Sequence, residues 1–140
     1  MITNGMTATG SFTVKLEPQE MPAEQPLLGR WRINKEFQGD LSGTSIGQML
    51  SARTAIANSA GYVAIEQVNG TLHGREGSFV LQHSSSMNRG APQQGITVVP
   101  DSGTDQLEGL TGSMTIINAA GAHSYVLEYA LPEPVSGLNK

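Results

Sequence analysis

Apolar and polar residues trade places at every second position over most of this chain. Residues 7–17 set Ala8, Gly10, Phe12, Val14 and Leu16 against Thr9, Ser11, Thr13, Lys15 and Glu17. A period of two is the mark of a strand with one buried face. Residues 29–38 repeat it, with Trp31, Ile33, Lys35 and Phe37 opposite Arg30, Arg32, Asn34 and Glu36. Residues 41–54 read as a strand in which Thr44, Ile46, Gln48 and Leu50 alternate against Gly43 and Gly47. Glycine inside a strand marks a sharp bend, as at a barrel corner.

The best-specified stretch is 58–87, a long hairpin. Residues 62–72 and 78–86 are rich in Val, Ile, Tyr, Phe and Thr, and Gly74-Arg75-Glu76-Gly77 separates them. A turn symmetric about Arg75-Glu76 sets Leu72 opposite Phe79, Val68 opposite His83 and Glu66 opposite Ser85. One face then carries Tyr62, Ala64, Glu66, Val68, Leu72, Phe79, Leu81, His83 and Met87. Two polar residues, Glu66 and His83, intrude on that apolar face as diagonal neighbours about 7–8 Å apart at the backbone. A three-residue turn would put them on opposite faces.

Further strands are expected at 95–99, 111–118 and 122–131, ended by the turns Pro100-Asp101-Ser102-Gly103 and Ala119-Ala120-Gly121. In the last hairpin Met114 and Ile116 share a face with His123, Tyr125, Leu127 and Tyr129. The proline-rich residues 18–26 cannot form a central strand and read as a loop, either a solvated crossover or a lid. No convincing helix appears. The predicted fold is all-β: about eight antiparallel strands in a mostly up-and-down closed barrel. Such a barrel is just wide enough to be filled by side chains or to hold one small ligand.

Composition narrows the function. The 140 residues suit a single barrel domain, with 132–140 as a tail. There is no cysteine, so neither disulfides nor a thiolate site. The net charge of −4 is interspersed, which argues against a nucleic-acid footprint and against a polybasic membrane patch. No apolar run approaches a spanning helix and the start lacks a secretion signal, so a cytoplasmic, bacterial-type protein is expected. Val63, Ile65 and Val80 are apolar on the outward face of the hairpin. They suggest coverage by the proline-rich segment or by a second copy in a homo-oligomer.

Several segments resemble a known family. Gly39-Asp40-Leu41-Ser42-Gly43-Thr44-Ser45, Ala60-Gly61-Tyr62-Val63-Ala64-Ile65-Glu66, Gly77-Ser78-Phe79-Val80-Leu81-Gln82-His83, Met87-Asn88-Arg89-Gly90-Ala91-Pro92 and Val98-Val99-Pro100-Asp101-Ser102-Gly103-Thr104 are similar to an uncharacterised bacterial family. That family, a domain of unknown function, is grouped with the allene-oxide-cyclase-like (calycin-like) barrels. The resemblance starts at about Met6, which makes residues 1–6 a tail. It implies an eight-stranded barrel and no activity; inheriting a cyclisation would be argument from fold alone.

Candidate chemistry centres on the lumen. Glu66 beside His83, reached across the interior by Lys35 and Tyr125, forms a carboxylate–imidazole arrangement suited to general-base work. The blander alternatives are a pair that satisfies itself at the barrel mouth and a Lys35 that snorkels to water. Trp31 and Tyr62 join the lumen candidates. Arg89 either gates the mouth or contacts an anionic ligand, or else is a solvated turn residue. His73, His83 and His123 have no metal-ligand spacing, with His73 and His83 roughly 16 Å apart along the ladder. No metal and no cofactor are expected, and no nucleophile elbow or phosphate loop is present. Three functions remain: a barrel binding a small apolar or amphipathic molecule, an isomerase or cyclase using a lumen carboxylate or imidazole, and a filled barrel acting through its surface. The first is preferred, because one or two ionisable groups are a thin catalytic apparatus.

Overall fold

The alternating segments all become strands in the computed structural model, which describes residues 3–21, 24 and 26–132. In chain order they are β1 (Thr3–Gln19), β2 (Leu28–Gly39), β3 (Leu41–Arg53), β4 (Ala60–Leu72), β5 (Arg75–Asn88), β6 (Ala91–Val98), β7 (Thr111–Ala119) and β8 (Ala122–Pro132). Each pairs antiparallel with its sequence neighbours, and β8 returns to β1, so the eight strands close into an up-and-down barrel. A single turn of 3-10 helix, Asp105–Leu107, lies between β6 and β7. Among the described residues no helix is long and apolar enough to cross a membrane.

Several boundaries differ from expectation. Residues 3–6, expected in a tail, pair with 129–132 of β8, and Pro132 is itself the last residue paired. Residues 1–2 and the expected tail 133–140 lie outside the described residues. Pro18, expected in a loop, is instead paired with Trp31 near the end of β1. A proline is tolerated there because a strand end does not need its missing N–H.

The central hairpin also turns earlier than expected. Leu72 pairs with Arg75, so the turn is the dipeptide His73-Gly74, with φ of +46° and +83°. Two successive positive φ values match the right-handed twist of the flanking strands, and this turn usually carries Asn-Gly. Arg89-Gly90 and Ala120-Gly121 close the β5–β6 and β7–β8 hairpins in the same way. The register therefore moves by four from the expected one: Val68 faces Phe79, Glu66 faces Leu81 and Ala64 faces His83. An even shift keeps every side chain on its face, so Glu66 and His83 still point the same way.

Inward residues divide the barrel along its axis. At the end holding the His73-Gly74 turn and the 3-10 turn, Phe12, Phe37, Leu41, Leu72, Phe79, Leu107, Leu110, Tyr125 and Tyr129 pack into one buried cluster. The opposite mouth is built from Pro26-Leu27, the β3–β4 connection and the Arg89-Gly90 turn. Outside, Leu50 and Val63 face one another across β3 and β4, and with Ile46 and Ile65 they leave an exposed apolar strip.

Candidate functional site

The site grows from one carboxylate that the alternation forces indoors. Glu66 occupies an inward position of β4 and is fully buried. Its neighbour on β3 is Gly47, where an added Cβ would fall 2.6 Å from the Glu66 Cβ and would run into the Ile65 carbonyl. Only a residue without a side chain leaves the carboxylate room to lie along the inside of β3. Ser45, two positions from Gly47 on β3, donates its hydroxyl to Glu66 Oε2 at 2.6 Å. Lys35 on β2, directly opposite Ser45, donates to Oε1 at 2.9 Å. His83 on β5 brings Nε2 to the same Oε1 at 2.6 Å. Four neighbouring strands thus each supply one member of a buried Lys–Ser–Glu–His cluster.

Burial alone pushes the Glu66 carboxyl upward, but the hydrogen bond from His83, the Lys35 cation and the bond from Ser45 outweigh it. The net result is a carboxyl held down at about 2. Glu66 is therefore ionised at neutral pH and accepts every bond it makes, so both His83 Nε2 and Ser45 Oγ are donors. A neutral imidazole that donates from Nε2 carries a bare lone pair on Nδ1. That Nδ1 is buried and has no hydrogen-bond partner among the described residues, and neither has the Ser85 hydroxyl, at the next inward position of β5. Lys35 is 7% exposed, with its ammonium 4.9 Å from the Phe12 ring centroid and 5.8 Å from that of Phe37. The ring faces complete its desolvated surroundings. Snorkelling, the simpler expectation for Lys35, is overturned: its counter-ion lies inside the barrel.

Above this cluster lies a cavity of about 750 Å³ at the barrel mouth. Its walls include Trp31, Met49, Tyr62 and Met87, with Ser51 and Ser85 among the polar points and Arg53 as the one charged residue of the lining among the described residues. The Trp31 indole N–H donates to Ser51 Oγ at 3.1 Å, fixing the ring against the wall. The Tyr62 and His83 ring centroids are 6.3 Å apart, which joins the cavity wall to the polar layer beneath.

The expected candidates therefore separate into groups. Lys35, Glu66 and His83 come together, and Trp31 and Tyr62 line the cavity above them. Tyr125 does not join them. Its hydroxyl accepts from the Leu41 amide at 2.8 Å and lies 2.9 Å from the Leu41 carbonyl, locking the β2–β3 turn near the filled end. Burial raises its phenol above the usual range. Arg89 is exposed in its turn and absent from the cavity wall, and its backbone N–H donates to Ser59 Oγ. His73 sits at the filled end against Tyr129, while His123 is tilted against Phe12 at 5.2 Å. Among the described residues no three His, Cys, Asp or Glu side chains are placed to share a metal ion. Ser45, Ser51 and Ser85 were not foreseen. Their only signal is a hydroxyl on an inward face, and that signal needs a register to be read.

Comparison with known proteins agrees with this architecture. The family model described as "Protein of unknown function (DUF3224)" matches residues 8–129. A crystal structure of a protein of unknown function from the same family, from Shewanella oneidensis MR-1, is 44% identical, with a TM-score of 0.88. The match covers 94% of this chain and 100% of that one. No curated protein matches.

Proposed function

We propose that this chain, which belongs to the DUF3224 family of proteins of unknown function, binds a small, mostly apolar molecule in the mouth of its barrel. The observation that carries the proposal is the cavity of about 750 Å³. That volume falls within the range of small-molecule pockets, which are apolar with a few convergent polar groups. Here the apolar part includes Trp31, Met49, Tyr62 and Met87, and the polar part includes Ser51, Asn58, Ser85 and Gln94. The fold leaves this end open while the other is filled, so the volume is not slack shared along the barrel.

The test is native mass spectrometry of protein purified from its own host, together with titration of a neutral apolar dye such as N-phenylnaphthylamine. A discrete mass adduct, or saturable dye binding with a change in Trp31 fluorescence, is the expected result. Bare protein mass and no saturable dye uptake would overturn the proposal.

One observation favours the second reading, an isomerase or cyclase. An imidazole oriented by a carboxylate, with its other nitrogen free, is the ordinary form of a general base. Solvent-deuterium incorporation into a bound candidate substrate, abolished in His83→Phe, separates catalysis from binding. The finer placement of the family among the allene-oxide-cyclase-like barrels belongs to this proposal and rests on the closed eight-stranded meander.

A further inference from the structure

We infer that the occupant of the mouth cavity is a neutral, mostly apolar molecule carrying a hydroxyl group, seated with that hydroxyl between Ser85 and His83. The inference rests on the binding reading above and names its ligand class. His83 Nδ1 and Ser85 Oγ are the buried side-chain polar atoms left without a partner among the described residues. They belong to consecutive inward positions of β5, about 7 Å apart along the strand, and Ser85 lines the cavity. Opposite His83 on β4 stands the small Ala64, and the ring lies one inward position below the cavity lining, so the ligand hydroxyl has to reach past Ser85 to meet it.

The chemistry of the head group follows from what each atom can do. Lys35 already balances the Glu66 charge, so a second buried cation here would be uncompensated; a ring kept neutral for that reason, donating from Nε2, can only accept at Nδ1. The Ser85 hydroxyl both donates and accepts. The single neutral, non-basic atom that gives one hydrogen bond to Nδ1 and takes one from Ser85 is the hydroxyl oxygen of an alcohol or phenol. An ether or ester cannot give the first bond.

Charge excludes the most common amphiphile, a carboxylate, from this seat. The buried cation, Lys35, is already matched to Glu66 at 2.9 Å. A second anion beside Glu66 would have no counter-charge there, and burying it unpaired is strongly unfavourable. The charged side chain of the cavity lining, Arg53, is exposed at its rim. An acid would therefore lie with its head outward at Arg53, in the opposite orientation.

Three probes of one chain length separate these cases: decanol, decyl methyl ether and decanoate, each titrated against Trp31 fluorescence. Decanol is expected to bind about tenfold more tightly than the ether, the worth of one buried hydrogen bond, and more tightly than decanoate. His83→Phe should bring the decanol-to-ether ratio close to one. In the unmodified protein the imidazole nitrogen resonance of His83 should move with decanol and stay still with the ether, a readout that needs no variant. Equal binding of all three probes would overturn the hydroxyl assignment and leave the binding reading standing. Preference for decanoate would overturn it in favour of Arg53. Binding of none would remove the binding reading as well.

Discussion

Replacing Glu66 by Gln tests the polar layer most directly. The substitution keeps shape and one acceptor oxygen but removes the charge that Lys35 faces at 2.9 Å. Lys35 is then left with the faces of Phe12 and Phe37 and almost no water. Removing one partner of a buried pair costs about 3–5 kcal/mol, because the other charge stays behind uncompensated. The titration gives an independent figure. A carboxyl moved from 4.5 to about 2 by folding contributes about 3 kcal/mol at neutral pH. The folded value lies below the unfolded one, so this contribution is complete above the ordinary carboxyl range and is lost as pH falls through about 2.

Urea unfolding, followed through Trp31, the only tryptophan, measures both effects. Near neutral pH, Glu66→Gln should lose about 3 kcal/mol. The gap to the unmodified chain should narrow steadily between about pH 5 and about pH 2. Combining Glu66→Gln with Lys35→Met removes both charges, and the double variant should recover much of the loss. The coupling expected between such neighbours is at least about 2 kcal/mol. A loss under about 1 kcal/mol, or a gap that does not change with pH, would refute the reasoning: Glu66 would then be reached by water and the layer would not be a sealed ion cluster.

Other elements make sharper, smaller predictions. Tyr125→Phe strands the Leu41 amide at the filled end and should cost about 1–3 kcal/mol in chemical denaturation, with the mouth cavity unaffected. Gly47→Ala drives a methyl group into the Ile65 carbonyl and the Glu66 backbone, so its thermal midpoint should fall by many degrees or the chain should fail to fold. Along the β6–β7 seam the ladder is a single pair, Thr97 with Ser113, and the Gln94 side chain accepts from the Ile116 amide at 2.7 Å in place of a backbone group. Gln94→Ala should speed hydrogen exchange of the Ile116 amide by about tenfold or more while leaving the β3–β4 amides protected.

The fold was legible because nearly every segment obeys a period of two, and a barrel asks little else of its sequence. The site was legible only in part. Glu66 and His83 stood out as polar residues on an apolar face, and their pairing survived a turn placed too late because the displacement was even. The turn itself was hidden: His73 at positive φ is not the Asn that usually announces such a hairpin, whereas Gly74-Arg75-Glu76-Gly77 imitates a longer loop. The fate of Lys35 was hidden for another reason. Its counter-ion sits two strands away, on β4, and no local pattern reports a contact across an intervening strand. Tyr125 shows the reverse case, an inward polar residue whose hydroxyl finds its partners in a backbone turn.

Small side chains interrupt the wall of the open half of the barrel. Its lining sets Gly29, Ser51 and Ser85 between the larger Trp31, Met49, Tyr62 and Met87, whereas the filled half stacks Phe12, Phe37, Phe79 and Tyr125. Space at the mouth is thus a consequence of residue size at specified positions. The ion cluster lies where the two halves meet, and stability alone gives little reason for it. A buried ion pair seldom outperforms apolar residues of similar volume, and Leu or Met at Lys35 and Glu66 would extend the existing core. What the cluster does supply is an oriented imidazole with a free acceptor beneath the cavity. The Lys35→Met, Glu66→Met double variant decides the matter. If it folds at least as stably as the unmodified chain and no longer distinguishes decanol from its ether, the layer is there for the ligand. If the distinction persists, His83 needs no such support and the cluster is only a plug.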